Sequence, residues 1–105
     1  MADANTKGRR MIEIRTCEHG FSAVGHAVHG PPGWDIVCAS VSALVQTFVA
    51  SAEELTDTKL HCELSPGRAV VLWGESTREL TLLLDSFLLG ARGIAGSYPE
   101  CVRIF

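Results

Sequence analysis

The hydrophobic period of this chain switches between two and 3.6, and the order of the switches limits the folds open to it. From Met11 to Cys17 the residues alternate, with Ile12, Ile14 and Thr16 on one side and Glu13 and Arg15 on the other. That is the pattern of a half-buried strand. Glu18-His19-Gly20 supplies a turn, and a second alternating run follows. Phe21, Ala23, Gly25 and Ala27 share one face; Ser22, Val24, His26 and Val28 share the other. The pair reads as an antiparallel hairpin. Gly30-Pro31-Pro32-Gly33 then interrupts any regular structure, because proline lacks a donor and glycine adds freedom.

Beyond that loop the period becomes helical. From Ile36 to about Leu55, apolar residues stand at 37, 41, 44, 48, 52 and 55, with Val45 and Val49 widening the stripe. Asp35 is placed to cap this helix. The stretch is rich in β-branched residues, mediocre helix formers, so burial must supply much of its stability. Leu60–Leu64 and Arg68–Trp73 flank Ser65-Pro66-Gly67 as a second hairpin. Ser76-Thr77-Arg78-Glu79 fits a capping box opening a second helix. Its apolar face is Leu80, Leu83, Leu84, Phe87, Leu88 and Ala91. Gly90, Gly93 and Gly96 are expected to weaken or end it, Tyr98-Pro99 breaks it, and Cys101–Phe105 leaves room for a short final strand.

Hairpins separated by single helices predict an α+β two-layer sandwich: a mainly antiparallel sheet with two helices on one face, in the order ββαββα plus the short C-terminal strand. Residues 1–10, polar after Met1, read as a flexible tail, and 11–105 as one domain. Hydrophobic residues make up 47% of the chain, too many for a disordered one. The net charge of −3 argues against binding nucleic acid through phosphate neutralisation. No apolar run approaches the roughly 18 residues of a membrane span, and the N-terminus lacks an apolar signal core. A cytoplasmic protein with reduced thiols is the expectation.

Four cysteines, at 17, 38, 62 and 101, are the residues with chemical potential. None stands in a C-x-x-C pair, and no dinucleotide or phosphate-loop motif is present, so no cofactor is expected. Cys17 and Cys101 read as strand residues, and His61-Cys62 as structural. Cys38 is different, because it falls at the start of the first helix. Unpaired N–H groups and the helix dipole there favour a thiolate and can stabilise an oxyanion. His26, near the end of strand two, is placed to take the thiol proton. The competing reading makes Cys38 a small core residue. Asp35 caps the helix or orients His26. Ser42, one turn beyond Cys38, bonds near the site or back to its own helix. A zinc site from His26, His29 and Cys38 is the chemical rival, but no standard zinc spacing occurs, and no metal is expected.

Gly25-His26-Ala27, Gly33-x-Asp35-Ile36-Val37-Cys38-Ala39 and Val41-Ser42-Ala43-Leu44 together resemble the ribosomal-processing cysteine proteases of the Prp family. The twelve-residue step from His26 to Cys38 agrees with that family's spacing, and the likeness continues through Gly93-Ile94-Ala95 and Tyr98-Pro99. The resemblance implies that Cys38 is the nucleophile and His26 the base. It also implies a role for Gly25 and the loop up to Asp35 in substrate binding, and a small two-layer homodimer. The implied substrate is the N-terminal extension of a large-subunit ribosomal protein, the twenty-seventh in the usual list. A noncatalytic ribosome-associated or assembly factor on the same scaffold is the alternative. The loop Val28–Trp34 departs from the family pattern in carrying two prolines and a tryptophan.

Overall fold

The structure is a computed structural model and describes residues 11–25 and 34–105, with Trp34 and Asp35 described by backbone alone. The expected tail (1–10) and residues 26–33, which hold the end of the expected second strand and the expected Gly30–Gly33 loop, lie outside the described residues. Seven elements follow one another: β1 (Ile12–Cys17), β2 (Gly20–Val24), α1 (Trp34–Leu55), β3 (Leu60–Ser65), β4 (Arg68–Trp73), α2 (Arg78–Ser97) and β5 (Val102–Ile104). The five strands form one sheet in the order β3-β4-β2-β1-β5. Three neighbouring pairs are antiparallel and one, β1 with β5, is parallel. The α+β two-layer expectation holds, including the short last strand.

Side-chain alternation decides which face of the sheet is covered. Ile12, Ile14, Phe21, Ala23, Val71, Trp73 and Val102 are all buried, while Glu13 and Ser22 between them are only half-buried and Arg15, Val24 and Leu72 are exposed. Both helices pack on the buried face. Val37, Val41, Val45, Phe48 and Ala52 bury the stripe of α1, and Leu80, Phe87 and Ala91 that of α2. Leu55, expected in that stripe, is the last residue of α1 and is 73% exposed. An aromatic cluster joins the layers. Phe21 stacks on Phe87 at 4.4 Å between ring centroids and meets Phe48 edge-on at 5.2 Å. By length and composition both helices also suit a membrane, with mean hydropathy 1.5 and 1.2. Averaging hides their two-sidedness: each buries one face against the sheet and turns the other outward.

Two boundaries move from their expected places. The cap of α2 is Thr77, whose hydroxyl accepts from the Leu80 N–H at 3.1 Å. Ser76 is occupied otherwise: it accepts from the Trp73 indole N–H at 2.9 Å and donates to the Glu18 carbonyl at 3.3 Å. That ties the β1–β2 turn to the entrance of α2. The glycines do not end α2, which continues to Ser97. Gly90 has a positive use there, since a methyl group on it would stand 3.1 Å from the Leu44 side chain of α1. The bare backbone lets the two helices approach closely.

Candidate active site

The strands and α1 leave a groove of about 430 Å³ at one end of the molecule. Its floor is apolar, from Ile12, Ala23, Val41 and Val45. One wall is α1, presenting Cys38, Ser42 and Gln46; the other is the tip of the β3–β4 hairpin, Leu64 to Ala69. A concave, mostly apolar site with a few polar groups is the common form of a ligand site.

Cys38 is half-buried, packed against the core and open to the groove. It falls in the second turn of α1, because the helix begins at Trp34 and not after a cap at Asp35. Asp35 therefore stands within the first turn, and its side chain lies outside the described residues. The shift does not remove the sulfur from the helix start. Side chains on a helix tilt toward its N-terminus, so a side chain at 38 lies over the turn that contains the unpaired N–H groups.

Gly25 lines the same groove as Cys38. Strand two ends at Val24, four residues earlier than the alternation suggested. At Gly25 the backbone turns to φ +120°, a conformation L side chains rarely adopt. A Cβ there would also run into the Met11 carbonyl oxygen. Its N–H donates to the Gly67 carbonyl at 2.8 Å, joining the end of β2 to the hairpin tip. Glycine is thus required where the chain leaves the sheet, immediately before His26. His26 itself, with His29, lies outside the described residues.

Ser42 and Gln46 are linked by a hydrogen bond, the Gln46 Nε2 donating to the Ser42 Oγ at 2.9 Å. Gln46 and the hairpin tip escaped the sequence reading. Gln46 carries no reactive group, and its only signal was its place two helical turns beyond Cys38. The Ser65-Pro66-Gly67 turn read as a connection and proves also to be a wall of the site.

The other three thiols stand apart from the groove lining. All four cysteines are unpaired. Cys17 is exposed at the end of β1. Burial, and then the Glu53 carboxylate, pushes the Cys62 thiol up. Cys101 sits in the turn before β5 and not in a strand; its carbonyl accepts from the Ile12 N–H at 2.8 Å. Burial pushes its thiol up too, followed by Glu100 and Cys38.

A two-layer α+β domain with a half-buried cysteine facing a peptide-sized groove has the form of a small cysteine protease. The family of cysteine protease Prp matches residues 11–103. The ribosomal processing cysteine protease Prp of Mycoplasma genitalium is 32% identical over 98 residues, covering 90% of this chain and 94% of that protein. Two crystal structures of the essential ribosomal processing protease Prp from S. aureus share the fold. One, with a substrate peptide, has a TM-score of 0.80 at 24% identity and covers 90% of this chain and 96% of that one. The other, with a covalently linked product peptide, has a TM-score of 0.76 at 26% identity and covers 90% and 95%. The chain belongs to the Prp family of cysteine proteases.

Proposed function

We propose that this protease removes the N-terminal extension of the twenty-seventh large-subunit ribosomal protein, with Cys38 as nucleophile and His26 as general base and acid. The observation that carries the reading is the place of Cys38: half-buried, at the start of α1, on the wall of the groove. The Cys38 Sγ attacks the scissile carbonyl while His26 takes the thiol proton. The oxyanion is held by N–H groups at the start of α1. The C–N bond breaks as His26 returns the proton to the leaving amine. Water then attacks the thioester, and the Cys38 thiolate leaves. The covalent product peptide on the S. aureus protein supports a covalent route. Gly25 and Asp35 flank the segment that carries His26 in sequence, which supports their part in holding substrate.

The thiol must stay reduced to act, which supports a cytoplasmic site of action. The net charge of −3 supports recognition of the protein extension without direct contact to nucleic acid. Incubation with the host's ribosomal protein, followed by mass spectrometry, should show loss of a short N-terminal peptide. An intact N-terminus after prolonged incubation would refute this substrate. We also infer a homodimer. The sheet face opposite the helices carries Val24 and Leu72 at 39% and 41% exposure, apolar area that a second copy would remove from water. Light scattering should give twice the chain mass; a monomer at assay concentrations would refute it.

A further inference from the structure

We propose that Gln46, acting through Ser42, sets the register of the substrate main chain along the groove. The inference rests on the protease reading above and adds a positioning residue to it. Ser40, on the same helix, donates its hydroxyl to the Ile36 carbonyl at 2.8 Å, the usual bond to the residue one turn back. Ser42 does not. It accepts from the Gln46 Nε2 at 2.9 Å, and among the described residues its own hydroxyl proton has no acceptor. A hydroxyl whose lone pair is occupied by a donor keeps its O–H for something else. Ser42 and Gln46 are exposed and both line the groove, so this O–H is open to whatever main chain the groove receives.

The spacing suits a peptide backbone. Cys38, Ser42 and Gln46 follow one another at successive turns, and their side chains lean toward the helix start. The row is about 12 Å long at 1.5 Å per residue. That length spans roughly three to four residues of extended peptide. The Ser42 O–H is a donor, aimed by the Gln46 amide that occupies its oxygen. An extended residue presents its C=O along the strand edge, which is the acceptor this donor needs. Val41 and Val45 lie beside this row on the groove floor, leaving alternate substrate side chains an apolar surface.

The test uses the wild-type protein and its variants on a proteome-derived peptide library, with cut sites and rates read by mass spectrometry. Gln46→Met should raise KM about three- to tenfold with kcat little changed, the range expected for loss of one hydrogen bond. The loss should be similar across all cut sequences, because main chain is common to them. Ser42→Ala should do the same, and the double variant should be no worse than Ser42→Ala alone. Gln46→Glu should also raise KM, since a carboxylate takes the Ser42 proton. Gln46 is exposed, so thermal midpoints should be unchanged. Unaltered KM in Gln46→Met, or multiplied losses in the double variant, would overturn this inference while leaving the protease reading intact. A wild-type protein that cuts no peptide would overturn both.

Discussion

Gly25 shows how a single residue can connect sheet geometry to chemistry. It combines a positive φ with a Cβ position already occupied by the Met11 carbonyl, and it precedes the proposed base. Gly25→Ala should cost about 1–3 kcal/mol in stability from the backbone conformation alone, measured by urea unfolding. Cleavage should fall further than stability, because relieving the clash displaces the backbone immediately before His26. Wild-type activity in that variant would show that the site tolerates displacement at β2's end. The four cysteines are also separated at this scale. Their types and spacing marked Cys38 in the sequence, because helix periodicity located the start of α1. What sequence could not show was depth. Cys101 read as a strand residue, yet it lies buried in a turn, where a backbone bond to Ile12 holds it.

The elements were more legible than their ends. Two hairpins, two helices and a last strand follow from changes of hydrophobic period. The start of α2 did not, since Ser76 and Thr77 are both good caps and Glu79 completed a box only with Ser76. Tertiary contacts chose between them: the Trp73 indole and the Glu18 carbonyl engage Ser76, leaving Thr77 to cap. Thr77→Ala should therefore cost about 1 kcal/mol, the usual worth of an N-cap. Denaturant titration would check this, and an unchanged midpoint would contradict the assignment. At Gly90, one of three glycines within α2, a tertiary contact decides in the same way. Gly90 weakens a helix in isolation, but here it permits contact with Leu44, and packing repays the lost propensity.

For the whole molecule, pattern established the two layers, while the order of strands came from pairings no local pattern reveals. β5 joins β1 in parallel and closes one edge of the sheet, and the C-terminal Phe105 is held by its N–H to the Ile14 carbonyl at 2.9 Å. β2 is thereby central in the sheet, and its end, with α1 and the β3–β4 tip, shapes the groove. The site thus depends on segments far apart in the chain, which is why the hairpin wall was invisible beforehand. Among the four thiols, the proposed mechanism places the covalent chemistry on Cys38 alone. Iodoacetamide at neutral pH, followed by peptide mapping and a cleavage assay at each time point, separates it from the other three. Cys38 should be alkylated first, ahead of exposed Cys17 and well ahead of Cys62 and Cys101, whose thiols burial holds protonated. Activity should vanish in step with that one modification. Activity that survives full alkylation of Cys38, or that disappears only when another cysteine reacts, would contradict the account.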